Sequence, residues 1–358
     1  MQKNSQNNFF KIGKKVISNL RSFIVAEISA NHNNSFARAK KLIIKAKECG
    51  ADAVKLQTFT PDTITLNSKN TDFRLSHLKS NKDWKKFQNF YEMYKHASMP
   101  WDWQKKLFKL AKKINIEIFS SPFDETAVDF LEDLNCVAYK IASAEINHIP
   151  LIEKIAKLKK PVIFSTGLAS ESEIKNVLKI FKKNKNSRII ILKCNSSYPA
   201  KIEESNLRNI QYLGKKFKLP IGLSDHSIGR TAAISAISLG ACMIEKHFNL
   251  DDGKKTIDSF FSSSEKEFKK MVQSIRDTEK ALGKYKYRLS KGSYLNLKSK
   301  RSIYVCQNIK KGDKFSKNNI KVVRPSMGLH PKYYNQILGK KVNKDLFVGQ
   351  RVKIEYIK

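Results

Sequence analysis

The chain has 358 residues, enough to bury a substantial core and to divide into more than one domain. Hydrophobic residues at 41% and aromatics at 10% exclude a disordered protein, and no apolar run reaches the 18 residues that a membrane-spanning helix needs. The formal net charge is +37, but its lysines are spread over nearly every amphipathic segment, with no aromatic-plus-basic motif or zinc-knuckle spacing. This is a solvated surface that steers small anions, and it argues against a nucleic-acid or membrane partner.

Residues 1–20, MQKNSQNNFFKIGKKVISNL, lack an apolar signal core and a small-residue cleavage site, so they read as a basic extension and not as a signal peptide. The cysteines at 49, 136, 194, 242 and 306 are scattered and show no CxxC spacing. Reduced thiols in a cytoplasmic protein are the expectation.

From Phe23 onward a short apolar run alternates with a longer amphipathic segment. The runs are FIVAEIS (23–29), AVKLQT (53–58), IEIFSS (116–121), AYKIAS (138–143), PVIFST (161–166), IIILKC (189–194), IGLSDH (221–226) and MIEKHF (243–248). Eight strand–helix units predict an α/β fold, a (β/α)8 TIM barrel, with a doubly wound open sheet as the alternative. The connection 59–115 is long and holds Trp84, Trp101 and Trp103, which predicts extra helices over the barrel mouth. After Gly283 the periodicity stops. The predicted divisions are the extension 1–20, a barrel over 21–285, an exposed linker over 286–300 and a small β-rich module over 301–358.

A buried parallel strand should be Val, Ile and Leu throughout, yet all eight runs end in polar residues. That is the face where such barrels carry their active sites. His226 and His247, on neighbouring strands about 4.8 Å apart, can converge on one divalent ion with water and Asp258, leaving open positions. Neutral imidazole with carboxylate suits manganese and related ions, whereas magnesium prefers more oxygen ligands. Lys140 with the hydroxyls of Ser143, Ser165 and Ser224 makes a phosphate cradle. Strand alternation puts Lys140 and Ser143 on opposite sides, so both reach the site only if the chain bends beyond residue 141. Lys140 also has two competing readings, a Schiff-base lysine and an outward structural lysine. Glu27, inside FIVAEIS, is suited to a sugar hydroxyl or to proton transfer. Together these groups fit a metal-assisted reaction on a phosphorylated anion.

The chain resembles the sialic acid synthase family. AEISANHNNS, AVKLQT, FSSPFDETAVDFLE, AYKIASAEI, FSTG, GLSDHSIG and EKHF match in order and spacing over about residues 21–285, and VVRPSMGLHP with ILGKK resembles the family's antifreeze-like (SAF) domain. Within the family, ISANHN, PWDW and RPSMGLHPKYY are most similar to the pseudaminic acid branch. The resemblance implies condensation of phosphoenolpyruvate with an amino-sugar aldehyde, here 2,4-diacetamido-2,4,6-trideoxy-altrose, with N-acetylneuraminate and legionaminate synthesis as near alternatives. It assigns Lys140, Ser143, Ser165, Ser196 and Ser224 to phosphoenolpyruvate, and His226 and His247 to the metal, manganese first and magnesium or cobalt second. Glu27 and Asp258 join the histidines as catalytic, while Lys55, Gln57, Tyr198 and Arg324 face the sugar, Arg324 across a domain-swapped homodimer. One departure stands out: relatives carry Gly-Pro-Asp where this chain has Thr256-Ile257-Asp258, which leaves open how Asp258 is aimed. Three rival readings are a Schiff-base aldolase using Lys140, a nucleic-acid-binding protein, and an ice- or glycan-binding protein; the last has no use for polar residues at eight strand ends.

Overall fold

The computed structural model describes residues 10–18, 20–75, 84, 86–283 and 287–358. The chain divides into two compact units, Met1–Gly283 and Lys284–Lys358.

In the first unit an N-terminal hairpin, β1 (Lys11–Ile12) and β2 (Lys15–Val16), precedes eight strands. These are β3 (Phe23–Glu27), β4 (Ala53–Thr58), β5 (Glu117–Pro122), β6 (Tyr139–Ile141), β7 (Val162–Ser165), β8 (Ile189–Cys194), β9 (Ile221–Asp225) and β10 (Met243–His247). They pair in chain order, all parallel, and β10 closes on β3 to complete the barrel. The predicted runs are therefore the barrel strands, and the open sheet is excluded. The strands are apolar on both faces because each is covered inside by the barrel filling and outside by helices. Gly222 on β9 has no room for a side chain: a Cβ there would lie 2.6 Å from both Leu192 Cδ2 and the Met243 carbonyl oxygen.

Several helices start where short polar side chains take up their free N–H groups. Ser35 caps α1 (Phe36–Glu48), and Ser170 with Glu173 and Ser264 with Glu267 form capping boxes at the helices Glu171–Lys183 and Glu265–Leu282. The connection between β4 and β5 carries α2 (Pro61–Ile64), α3 (Phe90–Ala97) and α4 (Trp101–Lys113). Phe59, just beyond β4, packs its ring 5.7 Å from Tyr94 of α3 and 5.1 Å from Phe123 beyond β5, which seats α3 over the strand ends. Trp101 and Trp103 are not at the mouth: they pack on Phe130 and on Phe36, between outer helices.

Part of the expected basic extension is structural. Ile12 and Ile17 are fully buried in the barrel core, and the Lys14 N–H donates to Glu117 at the start of β5, so the hairpin plugs the N-terminal end. Residues 1–9 lie outside the described residues.

In the second unit β11 (Ser302–Val305) pairs antiparallel with β12 (Ile320–Val323) over a small core that includes Ile303, Phe315, Ile320, Leu346 and Val352. The expected linker 286–300 is partly folded into it. Ser290 caps the short helix Lys291–Leu295, and Ser326 donates from its N–H to the Lys298 carbonyl oxygen and from its hydroxyl to that of Leu297. One turn is too short to show apolar periodicity, which is why the composition looked structureless.

Candidate active site

A ring of alternating charge fills the C-terminal mouth of the barrel. Lys55 Nζ lies 2.6 Å from Glu27 Oε2 and 3.5 Å from Glu245 Oε1, and Lys140 Nζ lies 3.0 Å from the same Glu245 oxygen. Register explains the meeting: Glu27 is paired with Lys55 on one side and His247 on the other, and Glu245 is paired with Ser224. All four charged side chains are buried. Burial raises the Glu27 carboxyl above its usual range even against Lys55. For Glu245 burial acts the same way, but Lys140 and Lys55 outweigh it and hold its carboxyl low. Burial pulls the Lys140 ammonium down despite its pairing with Glu245. Ser224 Oγ donates to Glu245 at 3.2 Å, and Gln57 Nε2 donates to Glu27 at 3.2 Å.

Beside Lys140 the chain leaves its strand after Ile141 and turns into a 3-10 helix, Ser143–Asn147. That is the bend the sequence required to bring Ser143 to the same side as Lys140. Ser143 Oγ accepts a hydrogen bond from the Gly167 N–H at 3.0 Å. The hydroxyls of Ser165 and Ser196 are buried without a hydrogen-bond partner among the described residues. A Cβ on Gly167 would lie 2.1 Å from Ser196 Oγ, 3.0 Å from Ser143 Oγ and 3.1 Å from Cys194 Sγ, so these groups converge on one point. Buried hydroxyls without partners beside an ammonium are the donor set an oxyanion such as phosphate completes.

The two histidines face each other at the ends of β9 and β10, with ring centroids 5.3 Å apart. His226 Nδ1 is 2.8 Å from the Asn195 carbonyl oxygen, which fixes the ring as a backbone carbonyl does in metal sites, and 3.9 Å from Cys194 Sγ. His247 Nδ1 is buried without a hydrogen-bond partner among the described residues and lies 4.0 Å from Asp258 Oδ2. Burial, then His226 and Lys55, push His247 well below its ordinary pKa, which keeps its imidazole neutral and able to bind a metal. Among the described residues no three His, Cys, Asp or Glu side chains come together as a ligand cluster. Two buried imidazoles that face each other, one of them held neutral, are donors that a divalent ion could use. Tyr198 packs 4.4 Å from the His226 ring, and Phe261 packs 4.6 Å from that of His247.

Asp258 is held by the segment that follows β3. Ser29 Oγ donates to its Oδ2 at 2.5 Å and the Ala30 N–H does so at 3.4 Å. Thr256 Oγ1 donates to Asn31 Oδ1 at 2.5 Å, so a second side-chain contact anchors the same loop. The barrel thus gathers Glu27, Lys55, Gln57, Lys140, Ser143, Ser165, Ser196, Tyr198, Ser224, His226, His247 and Asp258 around one mouth. Arg324 is on the second unit, exposed just beyond β12. Alternation in the sequence places Glu245 on the same face as His247, but gives it no role there. Sequence reasoning missed Glu145 on the 3-10 helix, whose Oε2 is buried without a partner among the described residues and whose carboxyl burial raises to about 7.

Residues 42–287 match the NeuB family, and residues 300–353 match the SAF domain. The chain belongs to the NeuB family. Among NeuB relatives, it is 46% identical to a pseudaminic acid synthase of Campylobacter jejuni, covering 96% of this chain and 97% of that one. A pseudaminic acid synthase of Helicobacter pylori is also 46% identical, over 90% of this chain and 94% of its own. The solved N-acetylneuraminic acid synthetase of Leptospira borgpetersenii superimposes with a TM-score of 0.70 at 32% identity, covering 81% of this chain and 95% of that one. NeuB membership makes the chain a phosphoenolpyruvate-dependent transferase and implies a reaction that depends on a divalent metal.

Proposed function

We propose that the chain condenses phosphoenolpyruvate with 2,4-diacetamido-2,4,6-trideoxy-altrose to form pseudaminic acid. The observation that carries this reading is the near full-length similarity to two pseudaminic acid synthases. C3 of phosphoenolpyruvate bonds to the aldehyde carbon, whose oxygen takes a proton. Water adds at C2, and phosphate leaves with cleavage of its C–O bond.

Lys140 and the hydroxyls of Ser143, Ser165, Ser196 and Ser224 hold phosphoenolpyruvate, so that a bimolecular encounter becomes an oriented one. Lys55, Gln57 and Tyr198 line the sugar side, and Glu27, its carboxyl raised by burial, is suited to hold or release a proton there. A divalent ion held by His226 and His247, manganese in this reading with magnesium or cobalt as alternatives, supplies Lewis-acid polarisation of an oxygen. Arg324 reaches the sugar's acyl group from a second copy of the chain in a domain-swapped homodimer. The free cysteines suit a reducing cytoplasm.

The test supplies phosphoenolpyruvate, manganese and an equimolar mixture of the altrose sugar, its manno-configured legionaminate precursor and N-acetylmannosamine, and identifies the product by mass and NMR. Pseudaminic acid as the main product is expected. Legionaminic or N-acetylneuraminic acid instead would replace the sugar in this reading, and no nine-carbon product would overturn it.

A further inference from the structure

Three residues between β3 and α1 are left-handed: Ser29 with φ 46°, Asn33 with φ 48° and Asn34 with φ 51°. Asparagine tolerates that conformation, and glycine takes it freely. Serine does not share this advantage, and its Cβ makes a left-handed backbone unfavourable. The chain thus uses a suitable residue where it needs only a turn, at 33 and 34, and an unsuitable one at 29. What serine brings to position 29 is a hydroxyl, and that hydroxyl is buried and fully engaged. It donates to Asp258 Oδ2 at 2.5 Å and accepts from Gln57 Nε2 at 3.0 Å. Gln57 Nε2 donates in turn to Glu27 Oε1 at 3.2 Å.

We infer that Ser29 is the positioning residue for the sugar side of the site, its hydroxyl setting Gln57 and Asp258 against each other across the barrel mouth. This rests on the reaction proposed above. The hydroxyl ties together three segments distant in sequence: the turn after β3, the end of β4, and the loop after β10 that holds Asp258. In the reaction proposed above phosphoenolpyruvate is held by Lys140 and the serines, whereas the Ser29 hydroxyl contacts Asp258 and Gln57, so its loss should separate the two substrates.

The experiment compares Ser29→Gly and Ser29→Ala in the full-length, manganese-loaded protein. Both remove the hydroxyl, but only glycine is at ease at φ 46°. Ser29→Gly should melt above Ser29→Ala, while both lose at least tenfold in kcat/KM for the sugar and keep KM for phosphoenolpyruvate within twofold. A purely structural role predicts a different pattern, with activity following stability, and a Ser29→Gly variant of parental sugar kcat/KM would overturn the inference. Melting temperatures of Ser29→Gly, Asp258→Asn and their double variant test the contact without turnover, and so remain decisive if the parent proves inactive on every sugar. Non-additive shifts are expected, and strict additivity would overturn the contact.

Discussion

Gly167 shows how a residue without a side chain can define a site. Its missing Cβ leaves the space into which Ser143 Oγ, Ser196 Oγ and Cys194 Sγ converge, and its N–H occupies one of them. Gly167→Ala would push Ser196 Oγ aside, which a serine accommodates by rotating, so the fold should survive. We predict a rise of tenfold or more in KM for phosphoenolpyruvate with a change in melting temperature of only a few degrees; an unchanged KM would remove these hydroxyls from the phosphate cradle. Glu145 makes a second prediction at this scale. Its folded pKa lies at about 7 against an ordinary 4.5, because burial favours the protonated form. That stabilisation is complete below about 4.5 and is lost as pH rises through about 7. Relative to the parent, Glu145→Gln should therefore gain stability between pH 4 and pH 8, by roughly 3 kcal/mol at most. Urea unfolding of the ligand-free proteins measures it, and a gain that did not change with pH would contradict the assignment.

Strands β9 and β10 carry the two histidines, and a second pair of residues on the same strands fixes them. Lys246 Nζ donates to Asp225 Oδ2 at 2.6 Å and to the Ser227 carbonyl oxygen at 2.7 Å, while Asp225 Oδ1 accepts from the Ser227 N–H and hydroxyl. Both charges are almost fully buried, so neither can fall back on water. Removing one partner of such a pair typically costs about 3–5 kcal/mol. Lys246→Met should show a loss of that order and weaker manganese binding by calorimetry, with the Asp225→Asn, Lys246→Met double variant recovering part of the stability. Parental stability in the single variant would mean the pair does not hold the strand ends.

The elements also show what a sequence displays and what it hides. All eight strands were legible because each is a short apolar run with a polar end, and the helices because their apolar faces recur at helical spacing. His226, His247, Lys55 and Lys140 were legible for the same reason, since ionisable residues at the ends of buried strands are unusual, although Lys246 and Asp225 show that such residues can also serve only to hold the strands. Glu145 and Gly167 lie in turns beyond the strands, where alternation fails and only the folded chain shows the direction of a side chain. Ser29 is hidden more deeply, since its significance lies in a backbone angle that no pattern of residue types reveals. The N-terminal hairpin was obscured by its composition, because two buried isoleucines among lysines give no period.

At the scale of the whole molecule the proposal joins two units, the barrel of one copy and Arg324 of another. Mixing separately inactive His247→Ala and Arg324→Ala proteins tests this directly. Random exchange of a domain-swapped dimer leaves about one site in four with both residues intact, so turnover should reappear near that fraction of the parent's value. Mixtures as inactive as their components would contradict the swap. Phosphoenolpyruvate labelled with oxygen-18 at the bridge between C2 and phosphorus reports which bond the reaction breaks. With manganese and the altrose sugar, the released phosphate should carry the label, and release should stop when EDTA is added or the sugar is left out. Unlabelled phosphate, or release that needs no sugar, would contradict the account.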